Sequence, residues 1–373
     1  MRTANILHLG IKELRSLLRD PMMLFLIIYA FTFGIYTAAT AMPETLHKAP
    51  IAIVDEDRSQ LSQRIVDAFY PPHFVPPVLI TQAEMDTRMD AGLDTFALNI
   101  PPNFQSDVLA GRSPAIQLNV DATRMSQAFT GNGYIQTIIS GEIASFLQGY
   151  RSNTVPAVDL ALRARFNPEL NKSWFGAVME VINNVTMLSI ILTGAALLRE
   201  REHGTVEHLL VMPVTPLEIM AGKVWAMALV VLIATACSLF FVVQGLLKVP
   251  IEGSIALFLA GTALHLFATT SLGIFLGTLA RSMPQFGLLI MLVLLPLQML
   301  SGGATPRESM PEFVRFVMLS APNTHFVMLA QAILYRGAGI RVVWPQFIAI
   351  AGIGTILFGL ALARFRRTIT TMV

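Results

Sequence analysis

Six apolar runs, at 22–42, 174–198, 223–247, 255–280, 285–303 and 344–363, set the rhythm of the chain. A hydrocarbon core about 30 Å thick takes about 20 residues of helix to cross. Each run therefore predicts a membrane-spanning α-helix. The first is preceded by a different pattern. Leu7, Ile11, Leu14 and Leu18 recur on one helical face, with Lys12, Arg15 and Arg19 on the others. This predicts an amphipathic helix over 1–21, ended by Asp20-Pro21, that lies along the membrane surface. Ala39-Thr40-Ala41 has the look of a signal-peptide cleavage site. The charged lead of about 20 residues is long for such a peptide, however, and the run itself is long enough to span.

Between the first two runs the periodicity changes. Segment 43–173 alternates short strand patterns (Ile51–Val54, Val78–Ile80, Thr95–Ile100 and Ile116–Val120) with helical ones (Arg58–Phe69, Gln82–Ala91 and Pro102–Ala110). From Arg124 to Ser152 the pattern is mostly helical. An inserted α/β domain follows, large enough for a core of its own. Segment 304–343 is apolar but broken by Ala321-Pro-Asn323 into pieces too short to cross. It predicts re-entrant helices dipping into one leaflet before the last span.

Composition agrees: 54% of the 373 residues are hydrophobic and 13% charged, about half the usual charged share of a soluble domain. The expected fold class is thus an α-helical polytopic membrane protein with six transmembrane helices, an inserted extracytoplasmic domain and an N-terminal interfacial helix. Lys and Arg set the orientation. The N-terminal segment has Arg2, Lys12, Arg15 and Arg19; the loop after the second span has Arg199, Arg201 and Lys223; the tail 364–373 has Arg364, Arg366 and Arg367. Both termini are expected in the cytoplasm. Segment 43–173, with ten basic against fourteen acidic side chains, suits the outer face. The long loop before the last span holds Arg307, Arg315, Arg336 and Arg341 against that trend. A net charge of +2 gives no reason to expect nucleic acid. Cys237, the one cysteine, lies in an apolar run and reads as a packing residue.

No phosphate-cradling loop, His-Glu-x-x-His, Gly-x-Ser-x-Gly or paired-cysteine metal spacing occurs, so no catalysis is expected in this polypeptide and no cofactor of its own. The densest polar segment is 199–222. Gly204 permits a chain break, Thr205 can cap a new helix, and Glu207 falls in its first turn, where the dipole favours an acid. Thr215-Pro216-Leu217-Glu218 is a second helix start. The pattern predicts a short helix across the membrane face, tied to spans on both sides.

Glu200-x-Glu202-x-Gly204-Thr205-x-Glu207-x-Leu209-Leu210-x-x-Pro213, with Lys223 opening the next helix, resembles the signature of ABC-2 type permeases, the membrane subunits of type V ABC exporters. Segment 99–112, followed by Gln117–Asp121, resembles the outer domain of bacterial members proposed to act in drug efflux. The resemblance covers essentially the whole chain. It implies a coupling helix, with Glu200, Glu202, Gly204, Thr205, Glu207, Leu209 and Pro213 contacting a separate nucleotide-binding ATPase subunit that holds ATP and Mg. It also implies an interfacial helix (Leu7, Ile11, Leu14, Leu18) beside membrane lipids, and a second permease copy, identical or similar. A bacterial inner-membrane location follows, with a periplasmic adaptor and outer-membrane channel as further partners. The cargo implied is amphiphilic or hydrophobic and drug-like.

For the interior, two readings stay open. Glu180, Asn183 and Asn184 either line a translocation path or bond to neighbouring helices. His265 is a functional mid-span group or a packed, hydrogen-bonded one. Gln298 faces an exit path or packs, and Gly273-x-x-x-Gly277 is a helix contact or a chance spacing. The rival function is an ion-coupled secondary transporter, which would lean on His265. A sensor would need an output domain, for which the tail is too short.

Overall fold

The computed structural model describes residues 3–40, 46, 48–121, 125–150, 172–202, 214–305 and 307–370. The chain forms two compact units, Pro43–Arg163 and a larger one of Met1–Met42 with Ala164–Val373.

The larger unit begins with α1 (Thr3–Leu18). Asp20 then caps α2 (Pro21–Tyr29), its carboxylate accepting from the Met23 N–H at 3.2 Å, with proline in the first turn. One π-helical turn, Ala30–Gly34, leads into α3 (Ile35–Thr40). The first span is thus continuous over Pro21–Thr40.

The smaller unit is built on β1 (Ile51–Asp55), α4 (Gln60–Asp67), β2 (Val78–Leu79), α5 (Gln82–Asp90), β3 (Phe96–Ile100), α6 (Phe104–Leu109), β4 (Gln117–Val120) and α7 (Met125–Tyr150). The sheet order is β2-β1-β3-β4, with β1 parallel to β2 and β3, and β4 antiparallel to β3. Ile51, Ala52, Ile53 and Val54 are all buried because β1 is central and covered on both faces. Ser59 and Thr81 cap α4 and α5 in reciprocal boxes with Ser62 and Glu84. Phe69, Phe74, Phe96 and Phe104 form the aromatic core, closed by Ile135 and Phe146 of α7.

The larger unit resumes with α8 (Lys172–Glu202), α9 (Pro216–Ser238, extended by a π segment Leu239–Leu246), α10 (Ile255–Leu279) and α11 (Met283–Leu300). Then come α12 (Glu312–Met318), α13 (Pro322–Leu334) and α14 (Ile340–Thr370). Among the described residues six stretches are long and apolar enough to cross a membrane: Pro21–Thr40, Trp174–Glu202, Pro216–Leu246, Ile255–Leu279, Met283–Leu300 and Ile340–Arg367. Helices α12 and α13 are bent by 88° at their short break. The Trp174–Glu202 stretch is the most buried of the six and forms the axis of the unit. It meets α10 through glycines: a Cβ added at Gly273 would sit 2.6 Å from the Ile190 carbonyl oxygen, and one at Gly194 would sit 2.9 Å from that of Gly273. Gly277 approaches Gly194 similarly, so the Gly273-x-x-x-Gly277 spacing is a helix contact. Cys237, by contrast, is on an exposed face of α9 and does not pack inside.

Candidate functional site

The last turn of α8 carries Arg199-Glu200-Arg201-Glu202, and each side chain grips a different element. Arg199 pairs with Asp20, the cap of α2. Glu200 receives Lys223 of α9 at 2.8 Å and Lys12 of α1 at 2.6 Å. Arg201 donates to the carbonyls of Gly277 (3.4 Å) and Ala280 (2.9 Å), at the carbonyl end of α10, where the helix dipole favours a cation. Glu202 accepts from the Met283 N–H at 3.1 Å, at the positive end of α11.

At the centre of this cluster Lys223, 2% exposed, is held between Glu13 (2.8 Å) and Glu200 (2.8 Å). Burying an ammonium is tolerable only when carboxylates and hydrogen bonds replace its water. Two carboxylates around one buried cation leave room for a second cation, which Lys12 supplies from a half-exposed position. The helices are brought close by small residues. Gly10 lies under the Trp225 ring, where a Cβ would overlap at 2.1 Å, and Gly222 faces Leu9. The Trp225 indole N–H donates to the Ile6 carbonyl at 3.1 Å. Just ahead, Thr215 and Glu218 form the expected capping box, with Pro216 in the first turn.

Of the predicted coupling residues, Glu200 is turned into the cluster and Glu202 caps α11; Gly204, Thr205, Glu207, Leu209 and Pro213 lie outside the described residues. On α1 the face packed against the protein is Gly10, Glu13 and Leu17. Leu7 and Leu18 are exposed, Ile11 and Leu14 half-buried. The amphipathic pattern thus points away from the protein, and the inner face escaped notice because its key members are a glycine and a glutamate. The available signal was electrostatic: Glu13, Lys223 and Glu200 are charges beside apolar runs that need partners.

A second polar network crosses the interior. His265 of α10 is fully buried, stacked on Phe326 with centroids 4.0 Å apart, and its Nε2 lies 2.9 Å from Thr186 Oγ1. Thr186 donates to Asn323 Oδ1 at 2.7 Å, and Asn323 donates to the Leu297 carbonyl and to Ser301 Oγ, both at 2.9 Å. Ser189 and Thr269 are joined at 2.7 Å. Helices α8, α10, α11 and α13 are thereby tied by side-chain hydrogen bonds, as polar groups in an apolar interior require. Asn184 donates to the Ala30 carbonyl at 2.8 Å, at the π turn of the first span. Glu180 is half-buried on α8, about one turn before Asn183 and Asn184. Gln298 is half-buried on α11. Sequence reasoning missed Thr186 and Asn323, whose isolated polarity in apolar runs was the only clue.

Six spanning helices, a bent apolar pair and a helix terminus that tethers five others define a multi-pass membrane protein. The chain belongs to the ABC-2 family transporter proteins, whose family profile matches residues 22–363. It is 66% identical to the inner membrane transport permease YhhJ of Escherichia coli (strain K12) over 368 residues, covering 99% of this chain and 98% of that one. It is 26% identical to the probable multidrug ABC transporter permease YbhR of the same organism, over 96% of this chain and 97% of that one. A second probable multidrug permease, YbhS, is 26% identical over 88% of each. The chain is therefore an ABC-2 permease subunit of an ABC transporter, a class that generally works with an ATPase subunit.

Proposed function

We propose that this chain is the membrane half of an ATP-driven exporter in a bacterial inner membrane, with both termini in the cytoplasm. The unit Pro43–Arg163 then faces the periplasm, where it offers a platform for an adaptor leading to an outer-membrane channel. One six-span chain forms half of a pathway, completed by a second permease copy. Helices α12 and α13 are re-entrant in the outer leaflet. The cargo is amphiphilic or hydrophobic and drug-like, as the neutral interior around His265 and Thr186 and the names of the 26% identical relatives suggest. ATP and Mg belong to the partner subunit.

The observation that carries this reading is the last turn of α8. Any displacement of the segment 203–213 by a docked ATPase reaches five contacts at once: Arg199 on Asp20, Glu200 on Lys223 and on Lys12, Arg201 on the end of α10, and Glu202 on the start of α11. Such a junction moves as a body, so differential binding of the ATPase to two states of the loop shifts the helices between two arrangements.

The test is to purify the tagged chain from its native membrane in mild detergent, identify its partners and assay ATP hydrolysis. A stoichiometric ATPase is expected. Glu207→Lys should abolish ATP-driven efflux of an amphiphilic dye from vesicles while the protein remains inserted and dimeric. A chain that purifies without an ATPase and moves the dye on an ion gradient alone, with loss on His265→Ala, overturns the reading in favour of a secondary transporter.

A further inference from the structure

A cavity of about 560 Å³ lies between Gly302, Gly303 and Arg307, α13 and the first turns of α14. Two arginines line it, Arg307 and Arg336, and among the described residues neither forms a salt bridge. The polar contact of the Arg307 guanidinium is the Met328 thioether at 2.8 Å, a weak acceptor. The stem of Arg307 is held over the turn because Gly302 has no side chain: a Cβ there would meet Arg307 Cγ at 2.9 Å, and its φ of +95° suits glycine. Gln346, also in the lining, has its amide oxygen buried without a partner among the described residues. The remaining wall holds Gln331 beside apolar side chains and continues along α14 through Val342, next to exposed Ile340 and Trp344.

A partly buried guanidinium whose polar contact among the described residues is a sulfur, an exposed second arginine at the same cavity and a buried amide oxygen leave donor and acceptor capacity for a polar ligand. The arginine fork fits phosphoryl oxygens best, and the amide accepts from a hydroxyl of the same head. The exposed apolar flank of α14 fits a chain. We propose that this cavity binds the phosphate head of an amphiphile, with its alkyl body lying along α14. The ligand is either a phospholipid of the surrounding bilayer or a free phosphorylated amphiphile, which share this chemistry. The inference stands on the cavity alone and is independent of how the transporter is driven. It also gives a use to two of the four arginines that run against the charge bias of this loop.

Thermal unfolding of the full-length chain in a non-ionic detergent, titrated with dodecyl phosphate, tests it. Saturable stabilisation is expected. Arg307→Gln and Arg336→Gln should each raise the half-saturating concentration at least tenfold. Arg315→Gln, which removes the same charge outside the cavity, should leave it unchanged. Where a glutamine variant lowers the unliganded melting temperature, Arg307→Lys and Arg336→Lys replace it; losing the fork but keeping the charge, they should weaken binding by an intermediate factor. Native mass spectrometry separates the sources. Phospholipid retained by the wild type and lost from the double variant assigns the bilayer, and dodecyl phosphate binding without retained lipid assigns a free amphiphile. Equal half-saturation in wild type and double variant, or inorganic phosphate acting as strongly as dodecyl phosphate, overturns the proposal.

Discussion

Lys223 is the residue on which three helices of the larger unit agree. Its ammonium is out of water and surrounded by Glu13 and Glu200, so its removal uncovers negative charge that has no solvent to fall back on. Breaking a buried pair from one side costs about 3–5 kcal/mol, whereas removing both partners together costs much less. Lys223→Met should therefore lower stability in detergent by about that amount, with Lys12 softening the loss by holding Glu200. Glu13→Gln alone should be milder, because Lys223 keeps Glu200. The double variant should recover part of what Lys223→Met loses, and denaturant unfolding of all four proteins measures the coupling. Losses that simply add would show that the three charges do not act as a unit.

Among elements, α8 and α10 are joined by close approach more than by side-chain bulk. Gly273→Ala would drive a methyl toward a backbone oxygen that cannot rotate away, and overpacking of that kind costs about 1–3 kcal/mol. Gly352→Ala, where open space surrounds the α-carbon on α14, should cost nothing comparable. A melting temperature that falls equally for both would dissolve the distinction. The same contact bears on what the chain discloses before folding. Apolar runs such as 255–280 announce their helices because nothing else survives in lipid, and Thr215-Pro216-Leu217-Glu218 announces a helix start because a cap is local chemistry. The strands at Ile51, Phe96 and Gln117 were legible for the same reason, being short alternating or buried runs between turn residues. The inner face of α1 was not. Gly10, Glu13 and Leu17 fall at helical spacing but include one apolar side chain and so make no hydrophobic stripe, and their meaning comes from Trp225 and Lys223, over two hundred residues away. Likewise Thr186 and Asn323 read as stray polarity until α8 and α13 are side by side. Pairings between distant positions are not written in either segment alone.

At the scale of the whole chain, the larger unit is interrupted after Met42 and resumes at Ala164, so the intervening segment must fold without help from its flanks or else be held together by them. Its own contents argue for the first. Four strands pair with one another within the segment, and β1 is central and buried. The starts of α4 and α5 are capped by residues of the segment itself, Ser59 and Thr81. The phenylalanine core is closed by α7 from within. A domain of this size buries about two thirds of its unfolded surface, enough for independent stability. Residues 43–163 expressed without the spanning helices should therefore be water-soluble, with a mixed helix–strand circular dichroism spectrum and a single cooperative unfolding transition in urea. Leu98→Ala, which removes a buried side chain from β3, should lower the midpoint by the equivalent of about 2–5 kcal/mol. A fragment that unfolds without cooperativity, or whose transition ignores Leu98, would mean that the sheet depends on the membrane helices. In that case the two units would have to assemble together, and a load on one would be felt as strain in the other.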